Sequence, residues 1–329
     1  MNRRNVSLLI LNQVPLILLL LVFAVLGCLS DKFLQLQNLV NILIQSSAIA
    51  IAAIGMTFVL VAAGVDLSIG SLMFVAVAVT GKLIMNGQPV WLAAMAGLVV
   101  GVIGGVINAI MITRLKVIAF IATLAMLFIA RGFGLWLTNT RAMNLPSSVT
   151  EWGSSRWFGV PLPILILIVV ALISHWMMTC TPAGRQLYAI GNDAAAARKA
   201  GVQVGPVTFA AYVLCGLCAA LSGLIALSQT GAVSPSFGQQ KEFAAIAAAV
   251  LGGTSLLGGR GTVLPGAVFG AILFQTVENG LVIVNADPYL YPMILSGILF
   301  LAVLLDTTRD RVIRNLMRRH IRAISTSDS

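Results

Sequence analysis

Ten acids and two histidines in 329 residues leave few places where this chain could do chemistry. His175 and His320 are too few for a metal site, and no metal ligand set is expected. The four cysteines, Cys28, Cys180, Cys215 and Cys218, lie in or at the ends of apolar runs. Cys215 and Cys218 have C-x-x-C spacing, but no strand or thioredoxin-like unit surrounds them. They read as small residues on one helix face. An enzyme would need a nucleophile, a base or a metal cluster in proximity, and none is visible. Nucleotide hydrolysis is excluded by the same test. A P-loop needs G-x-x-x-x-G-K-[ST], and Gly253–Gly258 has the first spacing, but Gly259 stands where the lysine should be. The Gly252–Gly261 cluster reads as a helix break where backbone is buried or faces a cavity. No catalytic residue and no cofactor is expected.

The remaining candidates are ionisable or polar residues inside apolar runs. Such a group at mid-bilayer costs roughly 2.5–3.5 kcal/mol on insertion scales, so it usually faces a bundle interior or a water-filled route. Asp66 is the only acid between Asp31 and Glu151. With Ser68 and Ser71 it follows Gly64, which suits either a helix cap at a break or a place beside a transport route. Arg131 lies inside an apolar run and needs a partner, for which Asp66 is a candidate. Glu278 and Asn279 suit either the mouth of a route for a hydroxyl-rich solute or a polar contact between helices.

These residues must be positioned by helices in lipid. Hydrophobic residues make up 59% of the chain and charged residues 9%, against about 25% charged in soluble domains. The mean hydropathy is +1.01. A bilayer core about 30 Å thick needs roughly 20 apolar residues per helical span, and unpaired backbone is not tolerated there. Continuous rather than alternating apolar runs favour helices over a barrel. They fall at about 14–29, 46–63, 69–86, 91–113, 117–138, 162–180, 207–228, 242–258, 263–283 and 290–306. The expected fold is an all-α, polytopic transmembrane bundle of about ten spans. A cytoplasmic N-terminus (1–13) precedes the transmembrane domain (14–306), and a basic tail (307–329) follows it.

With both termini inside, Arg3, Arg4, Arg114, Lys116, Arg185, Arg198, Lys199, Arg260 and the tail arginines from Arg309 to Arg322 all fall on the cytoplasmic side. Lys32, Lys82, Arg131, Arg141, Arg156 and Lys241 do not. That bias fits the positive-inside rule. The net charge of +10 therefore reads as loop asymmetry, with a tail suited to anionic headgroups, and nucleic acid is not an expected partner. Met1-Asn-Arg-Arg before an apolar run resembles a signal peptide, and Val25–Cys28 resembles a lipoprotein cleavage site, but an uncleaved first helix suits the many further spans. Residues 31–45 are amphipathic, and suit either a surface helix or an extension of the second span. Gly97, Gly101 and Gly105 recur every four residues, which predicts a helix-packing seam. Trp152 and Trp157 fall in a long outer loop at about 139–161.

The most informative segment is the inner loop 181–206. Asp193 can cap a helix running from Ala194 to Ala200, because its side chain accepts from free N–H groups of the first turn. Arg198 and Lys199 suit the negative end of the helix dipole, and Gly201 is a natural left-handed stop. An isolated helix below about 12–15 residues is marginal in water. This segment therefore needs a docking partner, either another protein's groove or its own chain.

Several stretches carry a resemblance in colinear order from about residue 35 to 306. They are Gly55–Leu60 (GMTFVL), Gly64–Ser71 (GVDLSIGS), Phe120–Leu124 (FIATL), Ala130–Gly132 (ARG), Gly184–Gly191 (GRQLYAIG) leading into Ala197–Gly201 (ARKAG), and Val250–Leu256 (VLGGTSL). The chain resembles the ribose-type permeases of bacterial ABC sugar importers. The resemblance implies a permease of the inner (cytoplasmic) membrane, paired with an identical or sister permease. Separate ATPase subunits would dock beneath it, and a periplasmic solute-binding protein would deliver sugar from above. It also implies that Gly184, Arg185, Asp193, Ala194, Arg198, Lys199 and Gly201 belong to the ATPase-coupling segment. Three departures from the family pattern bear on cargo and coupling. An Ala stands at 194 where a Glu is usual, an Ala at 244 where an Asp is usual, and Glu278 where an Asn is usual.

An ion-coupled secondary transporter is the alternative, since such proteins place ionisable groups near the midplane. Asp66 and Glu278 keep it open; the coupling helix and the resemblance favour the ATP-driven importer.

Overall fold

The computed structural model describes residues 14–298, 300–301 and 303–304, and the basic tail lies outside the described residues. Helix dominates. Val14–Leu29 forms α1, Leu36–Val61 α2, Ile69–Met85 α3, Val90–Thr113 α4 and Ala119–Thr138 α5. After α6 (Ser147–Ser154), α7 spans Leu162–Cys180, α8 Pro182–Asn192 and α9 Ala194–Lys199. The long α10 covers Val204–Thr230, α11 Lys241–Leu251 and α12 Val268–Ile283, and helical residues continue at 291–298.

Among the described residues, six segments are long and apolar enough to cross a bilayer: α2, α4, α5, α7, α10, and α12 with the π turn Val263–Ala267 before it. Their burial divides them. The apolar window of α2 is 83% buried and that of α10 61%, whereas those of α4, α5 and α7 are each 28% buried. The first pair forms the core. The other three turn apolar faces outward, as helices do when their solvent is lipid. This is an all-α membrane bundle.

Two segments are settled by the structure. Of the two readings of residues 31–45, the extension of the second span holds, since α2 runs unbroken from Leu36 to Val61. The apolar run 242–258 yields a helix only to Leu251. Gly252 caps it and Gly253 turns left-handed at φ +91°. Eleven residues rise about 16 Å, half of a hydrocarbon core, so α11 does not span by itself.

In the α4 glycine seam, Gly97 packs against Thr80 and Ala76 of α3, while Gly101 and Gly105 meet α10. A Cβ at Gly101 would collide with Ala220 and Gly216, and one at Gly105 with the Tyr212 carbonyl. Gly216 meets Gly101 and Gly105 in return. In lipid, where no hydrophobic force gathers helices, such close backbone approach supplies the packing. Cys215 and Cys218 are buried free thiols against Gly55 of α2, as small residues on a helix face.

The segment between α5 and α7 holds short strands. β1 (Met143–Asn144) pairs antiparallel with β4 (Ala232–Val233), and β2 (Arg156–Trp157) forms a hairpin with β3 (Val160–Pro161). Because β4 directly follows α10, the C-terminal ends of α5 and α10 share one end of the bundle. The pair α8–α9 lies at the other.

Candidate functional site

In the half of the bundle away from α8 and α9, a cavity of about 300 Å³ opens between α2, α3, α10 and α12. Gln45, Gln229, Gln275, Lys241 and Glu278 give it a polar lining beside Ala48, Ala52 and Met73. The amides are held. Gln275 Nε2 donates to Gln45 Oε1 at 3.1 Å, and Gln229 Nε2 donates to the Ile44 carbonyl at 2.9 Å. Ser222, also in the wall, donates to the Ala48 carbonyl at 2.6 Å. A second cavity of about 500 Å³ adjoins it and adds Phe243, Phe274 and Tyr291. Lys241 and Glu278 line both. Amides and opposite charges beside aromatic rings offer hydrogen bonds and flat apolar faces to a hydroxyl-rich solute.

Asn279, next to Glu278, has a different setting. It exchanges two 3.1 Å hydrogen bonds with Asn38, which fastens α12 to the start of α2. It lines neither cavity.

Asp66, Ser68 and Ser71 are fully buried at the N-terminal end of α3. Asp66 Oδ1 accepts from the Ser68 N–H at 2.9 Å and the Ser68 hydroxyl at 2.6 Å, and Asn108 Nδ2 donates to Ser68 Oγ at 2.8 Å. Ser71 donates to the Ser68 carbonyl at 2.8 Å. The carboxylate thus caps the break before α3, and no residue of this knot lines either cavity.

The proposed pairing of Arg131 with Asp66 is not formed. Arg131 Nη1 donates to the Phe237 carbonyl at 2.6 Å, and its guanidinium lies 5.0 Å from the centroid of the Phe74 ring. The acid within its electrostatic reach is Glu242 in the first turn of α11. The reason is geometric: Asp66 sits before α3, while Arg131 in α5 faces Phe74, one and a half turns further along that helix. Phe237 and Gly238 wall the smaller cavity, so Arg131 holds a cavity wall from behind.

At the α8–α9 end, Asp193 Oδ1 accepts from Ala195 N at 2.8 Å and from Ala196 N at 3.0 Å. The helix ends at Lys199, one residue earlier than the sequence suggests, and Gly201 follows at φ +86°. Ala197 is buried; Arg185, Asp193, Ala194, Arg198, Lys199 and Gly201 are exposed, and Gly184 is buried. A Cβ at Gly184 would strike the Met178 carbonyl, so it packs α8 under α7 and has no exposed surface for a partner. One alanine anchors α9 and the rest of its surface is free in this chain.

Helix α8 was not legible as a helix. Thr181 caps it, accepting from Gly184 N at 3.3 Å, and Pro182 opens it. Its far end meets the 252–261 loop. Tyr188 donates to the Gly261 carbonyl at 2.7 Å, and Gly259 N donates to the Val61 carbonyl at 2.9 Å. Burial pushes the Tyr188 phenol above its ordinary range, so it stays a donor.

Sequence reasoning missed Gln45, Gln229, Lys241, Glu242 and Gln275. Each is a polar residue inside or beside an apolar run, the same signal that singled out Glu278.

A bundle with a chamber in its core that carries amides and two opposite charges, and with an exposed capped helix at one end, suits a transport protein's membrane subunit. Residues 38–304 match the family of branched-chain amino acid transport system permease components, and the chain belongs to this permease family. It is 36% identical over 308 residues to the ribose import permease protein of Escherichia coli K12, covering 92% of this chain and 95% of that one. It is 35% identical over 300 residues to the Bacillus subtilis ribose import permease (90% and 92% covered). It is 32% identical over 292 residues to the D-allose transport system permease of E. coli K12 (88% and 89%). No solved structure matches. The chain is the permease subunit of an ATP-binding-cassette importer, and a separate subunit hydrolyses ATP.

Proposed function

We propose that this permease carries a sugar or sugar-like solute across the bacterial inner membrane by alternating access. In this reading it has ten spans with both termini cytoplasmic, and pairs with an identical or sister permease. A periplasmic binding protein delivers solute to the face that bears the β2–β3 hairpin. ATPase subunits engage α9 on the opposite face, through Asp193, Ala194, Arg198, Lys199 and Gly201, with Gly184 and Arg185 in α8 supporting it.

The observation that carries the reading is the separation of parts. An amide- and charge-lined chamber of about 300 Å³ sits in one half, and an exposed six-residue helix in the other. The relatives' names include ribose, D-allose and autoinducer 2, all rich in hydroxyl groups. ATP binding can drive the switch only if it favours one conformation over the other.

The test is uptake of labelled pentoses and hexoses into proteoliposomes holding the permease, its ATPase and its binding protein. ATP-dependent accumulation is expected. Accumulation driven by a proton or sodium gradient with the ATPase absent would identify the secondary-transport alternative instead.

A further inference from the structure

A third cavity, of about 340 Å³, has no part in the chamber or the coupling helices. It lies between the outer helices α4 and α7, floored by α10 and closed at one end by α6. Trp91, Met95, Trp152, Ile166 and Leu224 are among its walls. Its volume is in the range of small-molecule clefts, roughly 300–1,000 Å³.

Only two hydroxyl side chains reach it, and both are already satisfied. Thr80 Oγ1 donates to the Ala76 carbonyl at 2.9 Å and approaches the Ala93 carbonyl at 3.1 Å; Ser228 Oγ donates to the Ile225 carbonyl at 2.7 Å. A buried water needs two to four polar partners, and an apolar cavity without them stays dry. The occupant must therefore be apolar.

Its position selects which apolar occupant. The neighbouring surface of α4 and α7 is exposed and aliphatic, with Val99, Ile103, Val169 and Leu172 all more than 50% exposed. In a membrane that surface faces acyl chains, and the cavity is continuous with it. Trp91 and Trp152, 60% and 49% exposed, lie among the lining residues. With Trp136 and Trp157 they put four of the chain's five tryptophans at this end of the bundle. Tryptophan collects at the headgroup level of a bilayer, so this end of the cavity lies where an acyl chain leaves its headgroup. Arg156, in the hairpin that leads into α7, is exposed at the same end, a cation for a lipid phosphate.

We propose that this cavity holds one acyl chain of a phospholipid, wedged between α4 and α7 and retained against exchange with the bulk bilayer. It fills a gap between two helices that do not close on each other, and so holds the outer wall of α10.

Reconstitution in phosphatidylethanolamine and phosphatidylglycerol vesicles, with bromine on the acyl chains, tests this through tryptophan quenching. In a W136F/W157F/W176F variant, Trp91 and Trp152 report the cavity. In a variant keeping only Trp176, the reporter faces bulk lipid. After fusion with excess unbrominated vesicles, Trp176 should recover its emission at once, and the cavity pair several-fold more slowly. Ala94→Leu, which fills the cavity, should make the two recover together, and Met95→Ala, which opens its wall, should speed recovery of the pair. Equal recovery in the unfilled protein would mean ordinary annular lipid and overturn the proposal. So would absence of quenching at the cavity pair, the result if a second copy of the chain seats there.

Discussion

Tyr188 donates a 2.7 Å hydrogen bond to the carbonyl of Gly261, 73 residues further along the chain. That contact joins α8, which leads into the exposed α9, to the loop between α11 and α12. Around it the clearances are minimal. A Cβ at Gly191 would meet the Val61 carbonyl and Gly259, and one at Gly259 would meet the Asn192 side chain. In the proposed mechanism, a push on α9 would travel through α8 to α2 and the α11–α12 unit, which carry Gln45, Lys241, Gln275 and Glu278.

Tyr188→Phe removes the hydroxyl and keeps the ring. A neutral hydrogen bond is worth about 0.5–1.5 kcal/mol net, so the fold should persist. Solute moved per ATP hydrolysed should fall, measured by paired uptake and phosphate-release assays. Burial raises the Tyr188 pKa in the folded protein. Its contribution should then be constant below the ordinary tyrosine value of about 10 and be lost only as pH rises through the raised folded value.

Asp193→Ala removes the cap of α9, at a cost of about 0.5–2 kcal/mol. Uptake and ATPase stimulation should drop together while membrane insertion is unchanged. Ala196→Pro, or Arg198 and Lys199 both changed to Glu, should abolish them. Normal uptake in the Pro variant would show that α9 is not the coupling element.

Gly101→Leu forces a side chain into Gly216 and Ala220. Overpacking costs about 1–3 kcal/mol, and backbone–backbone contact leaves little room to relax. Thermal unfolding in detergent should begin at lower temperature than in the parent protein. Gly132→Ala, where a Cβ meets open space, should not lower that temperature, since Ala favours a helix interior over Gly.

Arg131→Met should lower solute affinity without touching solute. It deletes the bond to the Phe237 carbonyl, a charged hydrogen bond worth about 1.5–3 kcal/mol, and so loosens the wall that Phe237 and Gly238 form. Half-saturation of uptake is the measurement.

Glu278→Asn changes the one acid shared by the two cavities. The range or affinity of solutes should shift, read by competition among pentoses and hexoses against a labelled substrate. An unchanged competition profile would remove Glu278 from the route.

The helices were legible because lipid imposes a single demand on composition, and a run such as 162–180 can satisfy it only as a helix. Helix α9 was legible for a local reason: Asp193 and Gly201 mark its ends by short-range hydrogen bonding and backbone freedom. Pairings across the bundle were not. Arg131 was matched with Asp66, and nothing local showed that its guanidinium would instead meet the Phe237 carbonyl and the Phe74 ring. Asn279 gave no sign that its partner was Asn38, 241 residues away. The early end of α11 was half visible, since Gly252 and Gly253 interrupt an otherwise apolar run.

By itself, then, the order of residues determined that this chain lives in lipid as helices, where most of the long ones lie, and that Asp193 starts a short helix needing support. These follow from hydrophobic transfer and from bonds within a few residues. The tertiary structure decided which polar groups face a cavity and which are consumed in fastening helices together. That outcome depends on the rotation and separation of helices packed through glycine contacts, and residues far apart in the chain settle it jointly.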